Sequence, residues 1–306
     1  MKTSVKAFRV LSALFLLAFS VYALLDTFLI PRVYSVVESP VAEAEESIQI
    51  RTLSCTLGKE EQAAEITENS YDDGTLRVEI SSYRVEDTTV YVADLYTEDP
   101  KALLAAFSQN SYGRNITAVS SETAEQVGAV LAVNGDNYGS REKGYVIRNG
   151  VLYRETPASN QEDLVIWSDG SFSIIRESEV SARELLEAGA WQVFSFGPGL
   201  LENGQILVDT QDEVDRAKAS NPRTALGQIG QGHYVLVVSD GRTDESEGLS
   251  LWELAAFLRE LGVQTAYNLD GGGSSTMVFL GSIVNQPVGG RGSGQRAVTD
   301  IVYVSY

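Results

Sequence analysis

The chain has 306 residues, 43% of them hydrophobic and 21% charged, which is typical of a globular protein with one large domain or two small ones. Its formal net charge of −19 argues against a nucleic-acid partner, because phosphate binding needs a basic face. A single cysteine and a single histidine exclude an intramolecular disulfide, a cysteine-cluster metal site and a multi-histidine zinc site.

The first predicted element is an apolar segment preceded by the cations Lys2, Lys6 and Arg9. Residues 10–30 are long enough to cross a membrane, since about 20 helical residues span the ~30 Å hydrocarbon core. The cations place residues 1–9 in the cytoplasm. We therefore predict a single-pass signal-anchor in the cell membrane, with the main domain extracytoplasmic. The alternatives are a signal peptide, for which residues 42–44 have the form of a rather distant cleavage site, and a buried core helix.

Residues 31–70 are rich in glutamate and small residues and show no sustained apolar period. This composition favours an extended, charged linker or a solvated helix over a packed domain. We predict that this acidic linker or stalk holds a domain of residues 71–306 away from the membrane.

After Tyr71 the chain turns to runs rich in β-branched and aromatic residues, the pattern of strands. Strands are predicted within residues 75–85, 88–96, 128–136, 143–154, 163–175, 191–201, 233–241 and 275–285. Helices are predicted at residues 99–109, 121–129 and 247–263. The last helix is amphipathic and ends at Gly262. The fold class that we expect is α+β, with a large mixed β-sheet covered by helices and preceded by the transmembrane helix.

Four stretches at predicted strand ends combine glycine with polar or charged residues. They are residues 133–139, 221–227, 238–243 and 268–275. Any one of them alone is typical of an ordinary turn. The three glycines at 271–273 exceed what a turn requires, so they indicate close approach of the backbone to a ligand. Consecutive N–H groups in such a loop can form a concave site for an anion.

After Lys218 the chain has no lysine, so its remaining cations are all arginines. Arg223, Arg242, Arg291 and Arg296 lie in or beside glycine-containing loops. A guanidinium group offers a planar fork that matches phosphate or carboxylate in a two-point contact. On a chain of this net charge, the cluster indicates a site for an anionic group. The alternative is that these arginines pair with structural aspartates such as Asp300.

The same loops supply groups for acid–base chemistry. Asp136, Asp240 and Asp270 each stand beside a glycine at a predicted strand end. Hydrolysis of glycosidic bonds uses a pair of carboxylates, one to protonate the leaving oxygen and one to activate water or to attack. His233 precedes an apolar strand, which favours a turn or strand-edge residue over a general base. No Gly-Lys-Ser/Thr follows the triple glycine, which excludes a nucleotide P-loop.

Several motifs in a fixed order are similar to those of one known family. The chain resembles the phosphodiester glycosidase family in the segments NPRTALG, DGRT, EGLSLWELAAFLRELG, AYNLDGGGSSTMV, VNQP and QRAVTDIVYV. The upstream segments LAVNGDNYG and GYVIRNGVLYR match the form of membrane-anchored bacterial relatives. The resemblance covers roughly residues 71–306 and is densest after Asn221.

The resemblance implies hydrolysis of the glycosidic bond of a sugar-1-phosphodiester in an envelope or exopolysaccharide polymer, which releases free sugar and leaves a phosphomonoester. The catalytic residues on this hypothesis are Asp136, Asp270, Asp240 and Arg223. The substrate-binding residues are Asn134, Gly135, Thr224, Arg242, Asn268, Gly271, Gly272, Gly273, Ser274, Ser275 and Arg296. Of these, Arg223 and Arg296 hold the phosphate, assisted by the amides of the three consecutive glycines.

No motif requires a cofactor. Oxygen ligands suit Ca²⁺ or Mg²⁺, so a divalent cation held by Asp136, Asp240 or Asp270 stays open. Two other functions also stay open, because a fold does not guarantee an activity. One is a non-catalytic cell-surface protein that binds carbohydrate or wall polymer. The other is a glycosidase acting on non-phosphorylated glycosides, which structural ion pairs around the arginines would favour.

Overall fold

The computed structural model describes residues 2–37, 64–210, 220–289 and 294–305, with side chains from residue 8 onward. The described helices are α1 (Lys2–Phe28), α2 (Ser120–Gln126), α3 (Ala182–Glu187) and α4 (Leu251–Glu260). The strands, numbered in chain order, are β1 (Arg32–Val36), β2 (Glu65–Ile66), β3 (Ser70–Asp72), β4 (Leu76–Val85), β5 (Thr88–Thr97), β6 (Leu104–Phe107), β7 (Ser111–Arg114), β8 (Leu131–Asn134), β9 (Val146–Arg148), β10 (Val151–Arg154), β11 (Glu162–Trp167), β12 (Phe172–Arg176), β13 (Ala190–Phe194), β14 (Gly199–Glu202), β15 (Gln205–Ile206), β16 (Thr224–Gly230), β17 (His233–Ser239), β18 (Thr265–Asn268), β19 (Met277–Phe279), β20 (Ser282–Ile283) and β21 (Asp300–Val304).

The strands form three large sheets and one separate strand pair. The largest sheet has nine strands in the order β15-β14-β18-β16-β17-β5-β4-β3-β2. Two five-stranded sheets have the orders β10-β9-β13-β11-β12 and β20-β19-β8-β21-β6, and β1 pairs with β7. The α+β class and the strand-rich domain are confirmed. We predicted a mixture of parallel and antiparallel strand pairs. All the strand pairs that the structure describes are antiparallel.

The main core lies where the three large sheets meet. Leu226 and Leu236 of the nine-stranded sheet lie in one apolar cluster with Val133 of β8 and with Ile166 and Phe194 of β11 and β13. All five side chains are fully buried. Burying a side chain of this size contributes roughly 1.5–3 kcal/mol. This shared core holds the three sheets in one arrangement and so sets the positions of the loops at their ends.

Helix α4 covers the nine-stranded sheet, as its amphipathic spacing predicts. Leu254 and Leu258 are fully buried in the apolar cluster on that face. The helix begins at a capping box, in which Ser250 and Glu253 satisfy each other's backbone N–H groups. Gly262 follows its last turn with φ of 84°, the left-handed conformation that ends many helices.

Two short elements differ from the predicted ones. Residues 99–109 are not a helix: β6 lies there and pairs with β21. A short apolar run does not separate helix from strand, and here the ladder to β21 decides. Helix α3 is not predicted by apolar spacing, because its six residues are too short for a period. Its capping box of Ser181 and Glu184 was the available signal.

Short strands lie at both ends of the predicted linker over residues 31–70. Strand β1 pairs with β7, while β2 and β3 add to the nine-stranded sheet. Strand β3 runs across the predicted domain boundary at residue 71. The remainder of the predicted linker, residues 38–63, lies outside the described residues.

The predicted membrane segment is a helix. The stretch Phe8–Phe28 of α1 is 21 residues long and apolar enough to cross a membrane, and 0% of its apolar window is buried inside the molecule. At ~1.5 Å per residue it is about 31 Å long, which matches the hydrocarbon core of a bilayer. Length and composition fit a membrane span or a signal sequence, whereas the exposure excludes a buried core helix.

Candidate active site

A cavity of about 400 Å³ opens where the loops that follow β8, β13, β17 and β18 meet the segments that precede β16 and β21. Its lining residues are Asn137, Ser140, Arg141, Phe196, Asn221, Arg223, Arg242, Asn268, Leu269, Asp270, Gly271, Gly272, Gly273 and Arg296. Strands β16 and β18 are antiparallel neighbours, with Ala225 opposite Asn268. The start of one therefore meets the end of the other, and all four glycine-containing stretches contribute a residue to this cavity.

The cavity wall is positively charged. Its lining includes the four arginines Arg141, Arg223, Arg242 and Arg296 and one carboxylate, that of Asp270. On a chain with a net charge of −19, this is a local reversal of sign. Guanidinium groups keep their proton and bind phosphate or carboxylate in a two-point geometry. The lining is therefore suited to an anionic group.

Asp270 forms a cluster with Ser274 and Arg296. The Ser274 hydroxyl donates to Asp270 Oδ2 at 2.6 Å, and Arg296 Nη2 donates to the same oxygen at 2.7 Å. Arg296 Nε also donates to Ser274 Oγ at 2.9 Å. The Arg296 side chain is 44% exposed and that of Asp270 12% exposed. A ligand in the cavity can therefore reach Arg296 while Asp270 stays oriented from one side.

Asn134 and Thr224 support this cluster from the buried side of the Asp270 backbone. Asn134 Nδ2 donates to the Asp270 carbonyl oxygen at 2.6 Å, and the Thr224 hydroxyl donates to Asn134 Oδ1 at 2.8 Å. Both side chains are fully buried, as is Ser275 in the same loop, and none of the three lines the cavity. In this structure Asn134 and Thr224 hold the backbone that carries Asp270, and substrate binding by these three residues stays a prediction.

Asn268 has a mixed role at the end of β18. It lines the cavity as predicted, while its Nδ2 donates to the Gly197 carbonyl oxygen at 2.8 Å. Its amide N donates to Pro198 O at 3.1 Å. Asn268 therefore ties the loop after β18 to the loop that presents Phe196.

Each of the three consecutive glycines admits a different neighbour. A Cβ atom on Gly271 would lie 2.8 Å from Pro222 O, one on Gly272 2.9 Å from Arg242 Nη2, and one on Gly273 2.7 Å from Gly289 Cα. Gly272 also has a φ of 61°. Its N–H donates to Pro222 O at 2.7 Å, so this amide is not available to a phosphate, contrary to our expectation. The glycines let three parts of the site pack together.

Alanine in place of Gly273 is expected to destabilise the chain by about 1–3 kcal/mol, because the new methyl group meets backbone that cannot move aside. The expected activity is also lower, since Gly273 lines the cavity. Gly230→Ala is the matched control, because a Cβ at Gly230 meets nothing within 4 Å. Thermal unfolding and turnover of both variants test this. Equal melting temperatures would show that the loop has room to spare.

Arg223 and Arg242 are fixed in the cavity wall by neutral acceptors. Arg223 is 3% exposed, and its Nε donates to the Leu249 carbonyl oxygen at 2.8 Å. Arg242 Nη2 and Nε donate to Asn221 Oδ1 at 2.7 and 3.1 Å. These contacts fix the orientation of both guanidinium groups in the cavity wall.

Asp136 lies in a buried ion pair rather than in the cavity. Arg148 Nη2 donates to Asp136 Oδ1 at 2.7 Å and to Asp300 Oδ2 at 2.9 Å, and all three side chains are at most 1% exposed. Asp136 Oδ2 accepts from the Ser195 amide at 2.8 Å. A Cβ on Gly135 would come within 2.4 Å of the Asp300 carboxylate. The structure therefore places Asp136 and Gly135 outside the cavity lining, in contact with the scaffold, while their predicted catalytic and substrate-binding roles stay predictions.

Arg148 holds two carboxylates of different proton affinity. Burial alone would raise the pKa of Asp136, but the Arg148 charge and the Ser195 amide outweigh it and lower that pKa. Burial, together with the Asp136 charge, raises the pKa of Asp300 to about 7 against the opposing effect of Arg148. The second carboxylate therefore takes up a proton close to neutral pH.

This raised pKa makes stability depend on pH. The folded chain keeps the Asp300 proton to a higher pH than the unfolded chain, in which the carboxyl has its ordinary pKa of 3.8. The stability that this proton contributes is therefore fully present below pH 3.8 and is lost as the pH rises through about 7. The free energy of unfolding should lose up to ~1.4 kcal/mol per pH unit in that window from this group. Asp300→Asn should remove that part of the slope, measured by denaturant unfolding between pH 4 and 8. The same slope in both chains would contradict the assignment.

Asp240 is also outside the cavity. It is 3% exposed, and its Oδ1 accepts from the Gln286 amide at 2.8 Å. Burial raises its pKa, and the Gln286 amide opposes this. It holds the segment that leads to Gly289, which packs on Gly273. The structure therefore shows Asp240 as a residue that positions this loop, and its predicted catalytic role stays a prediction.

The cavity includes lining residues that our predicted set omits. They are Asn137, Ser140, Arg141, Phe196, Asn221 and Leu269. Arg141 Nη1 donates to the Ser195 carbonyl oxygen at 3.1 Å, and its guanidinium lies 4.7 Å from the centroid of the Phe196 ring. Arg141 stands two residues past the predicted loop 133–139, and Asn221 lies inside the predicted loop 221–227. Phe196 had no loop signal beyond the Gly-Pro that follows it.

Among the described residues no group of three His, Cys, Asp or Glu side chains is arranged to hold a metal ion. The predicted candidates Asp136 and Asp240 are engaged as described above. His233 lies at the start of β17, as predicted for a strand-edge residue. Its Nε2 is 2.7 Å from Asp94 Oδ1, and its ring stacks on Tyr96 at 3.9 Å between centroids.

Comparison with known proteins gives one family. The model of the phosphodiester glycosidase family matches residues 127–305. An SPbeta prophage-derived uncharacterized protein (YomE) of Bacillus subtilis is 28% identical over 79% of this chain and 38% of its own length. The N-acetylglucosamine-1-phosphodiester alpha-N-acetylglucosaminidase of Mus musculus is 32% identical over 54% of this chain and 35% of its own length. The chain thus spans little more than a third of these two curated relatives.

The fold is also found in solved structures. The catalytic domain of the zebrafish N-acetylglucosamine-1-phosphodiester alpha-N-acetylglucosaminidase, auto-inhibited by its pro-peptide, superposes with a TM-score of 0.61. The match has 24% sequence identity and covers 76% of this chain and 83% of that chain. A hypothetical protein from Synechocystis gives a TM-score of 0.57 at 15% identity over 75% of this chain and 62% of its own. At these identities the likeness establishes the fold.

Proposed function

The chain belongs to the phosphodiester glycosidase family, and we propose that it hydrolyses the glycosidic bond of a sugar-1-phosphodiester. Water attacks at the anomeric carbon, the bond from that carbon to the phosphate oxygen breaks, and free sugar and a phosphomonoester leave. The observation that carries the proposal is the charge of the cavity lining, four arginines and one carboxylate on an acidic chain.

With one carboxylate among the described lining residues, the cavity favours a phosphate leaving group over an ordinary alcohol. Glycosidases that cleave plain glycosides use two carboxylates, one of them to protonate the leaving oxygen. A phosphate is a weak base and leaves without strong general-acid help. Guanidinium groups that offset charge on the leaving oxygen take over that role. Among the described lining residues, Asp270 is the carboxylate, which agrees with this division of work.

The proposed roles follow from position. Arg296 and Arg242, with Arg223 behind them, bind the phosphate, while Asp270 activates the attacking water or attacks the anomeric carbon itself. Ser274 holds Asp270 Oδ2 at 2.6 Å and fixes its orientation. Asn268 and the backbone of the glycine loop border the same space and bind the sugar hydroxyls or the phosphate. No metal ion is assigned a step.

We place the protein at the cell membrane, with α1 as a single span and the remaining chain outside the cytoplasm. Support comes from the apolar stretch Phe8–Phe28 and from the cations that precede it. An envelope or exopolysaccharide polymer with sugar-1-phosphate links is then the substrate within reach. For an exported protein, the absence of a cysteine pair suits a bacterial cell surface better than a disulfide-rich secretory pathway.

The test is hydrolysis by the full chain in detergent of a panel of sugar-1-phosphodiesters, with matched aryl glycosides that carry no phosphate. We expect free sugar only from the phosphodiesters, with equal rates in the presence and absence of EDTA. Cleavage of the plain glycosides would show that the arginines have a structural role and do not select for phosphate. Saturable binding without any turnover would favour a carbohydrate-binding protein, and loss of activity in EDTA would restore the divalent cation.

A further inference from the structure

The end of the membrane helix is attached to the folded domain. Asn115 Nδ2 donates to the carbonyl oxygens of Thr27 and Ile30, at 3.2 Å each. Asp26, inside the last turn of α1, pairs with Arg32 at the start of β1. These contacts cap the helix end and fix the direction in which the chain leaves it. The helix and the domain are therefore connected without a flexible joint at this point.

Strand β1 continues the attachment. It pairs with β7 in a register that sets Arg32 opposite Arg114, Val33 opposite Gly113 and Val36 opposite Ser111. Tyr34 also packs against Tyr112, with ring centroids 5.8 Å apart. Because a strand rises ~3.3 Å per residue, Val36 lies about 13 Å from Arg32 along β1. The domain is thus held within a strand's length of the helix end.

The segment around this junction exposes an apolar surface. Phe28, Leu29, Val33, Tyr34 and Val36 are each between 56% and 75% exposed. A contiguous apolar surface is uncommon on a part that faces water. Apolar and aromatic side chains next to a membrane helix are typical of the headgroup region, where Tyr keeps its hydroxyl in water. Its continuity with α1 identifies the lipid surface as the partner of this junction.

The same strand pair contacts the cavity wall. The Gly113 amide donates to the Tyr138 hydroxyl at 3.3 Å, and Arg114 pairs with Glu142 at 2.6 Å. Tyr138 and Glu142 flank the turn whose residues Ser140 and Arg141 line the cavity. The membrane helix, β1, β7 and the cavity rim therefore form one connected series of contacts.

We propose that this junction holds the cavity at the membrane surface and that the substrate is a sugar-1-phosphodiester whose aglycone is anchored in the bilayer. The identity of this substrate rests on the proposed function. Hydrolysis would release free sugar to the water and leave the phosphomonoester on its lipid. A cavity held at a fixed distance from the bilayer encounters substrates anchored in that bilayer at a high effective concentration. The same attachment does not raise the effective concentration of a polymer that diffuses freely.

The test uses the full chain in liposomes and two substrates with the same sugar, one linked through phosphate to a dialkylglycerol and one to methanol. We expect the lipid-linked substrate to be hydrolysed about tenfold or more faster at equal total concentration. A Gly/Ser insertion of about 20 residues between Ile30 and Pro31, which spans roughly 25 Å, should remove most of that preference. The same insertion between residues 46 and 47 is the control and should leave it intact.

Turnover of the methyl substrate keeps the two proposals apart. It should be unchanged by either insertion, because neither alters the cavity lining. An equal lipid preference with and without the junction insertion would overturn the substrate inference. If the unaltered chain hydrolyses neither substrate, the proposed function fails and the inferred identity of the substrate fails with it, whereas the placement at the membrane is judged by a separate readout.

That readout is proximity to lipid headgroups. Cys55 is the single cysteine, so Cys55→Ser with Lys143→Cys places one fluorophore beside the cavity turn. We expect quenching by nitroxide-headgroup lipids in the unaltered junction and its loss with the insertion after Ile30. Absence of quenching would overturn the placement. So would a mature chain in membranes that begins beyond Val36, since it would lack both the helix and β1.

Discussion

Asparagine in place of Asp270 is expected to lower kcat on a soluble sugar-1-phosphodiester by roughly 10²–10⁴-fold, the range for loss of a positioned acid–base group. Asparagine keeps the shape and one oxygen, so the Ser274 hydroxyl at 2.6 Å and Arg296 at 2.7 Å retain an acceptor. It cannot take a proton from water or attack the anomeric carbon. KM should change little, because the arginines proposed to bind the phosphate remain.

The control separates chemistry from folding. Asp94→Asn alters another carboxylate, one in a side-chain hydrogen bond with His233 and away from the cavity lining. It should leave kcat unchanged. Steady-state kinetics and thermal unfolding of both variants decide the matter. A kcat within threefold of the unaltered chain would remove Asp270 from the reaction, and a large fall in melting temperature would make its role structural.

The three consecutive glycines correctly indicated the position of the cavity, but the sequence did not show why glycine is needed there. Three glycines indicated that something approaches the backbone closely, and the cavity does lie there. Much of the close approach comes from the protein itself: Pro222, Arg242 and Gly289 occupy the space that side chains would fill. A single sequence records the absence of a side chain, but not which neighbour requires it.

The carboxylates show the limit of the same reasoning. Asp136, Asp240 and Asp270 have similar local surroundings in the sequence, since each stands beside a glycine after an apolar run. Only Asp270 lines the cavity. The difference comes from distant partners, Arg148 for Asp136 and Gln286 for Asp240. Local pattern predicted most strands and the end of helix α4 at Gly262, because these depend on near neighbours, whereas pairing between remote side chains leaves no periodic signal.

Methionine in place of Arg148 is expected to destabilise the chain by about 3–5 kcal/mol at neutral pH, enough to unfold much of it. The change would leave Asp136 and Asp300 fully buried without their shared cation. Arg183→Ala is the matched control, since that arginine pairs with Glu155 at the surface and its loss costs about 0–1 kcal/mol. Denaturant unfolding of both variants measures the difference.

The loss of stability caused by Arg148→Met should depend on pH and on the two carboxylates that Arg148 pairs with. Arg148 lowers the pKa of both carboxyls, so without it Asp136 and Asp300 bind protons more readily, and the loss of stability should shrink as the pH falls from 7 to 5. Combining Arg148→Met with Asp136→Asn and Asp300→Asn removes both charges and should recover most of the stability. If the triple variant also regains turnover, Asp136 acts by holding the Ser195 amide and the loop of Phe196, and not by proton transfer. A stable but inactive triple variant would instead return Asp136 to the reaction.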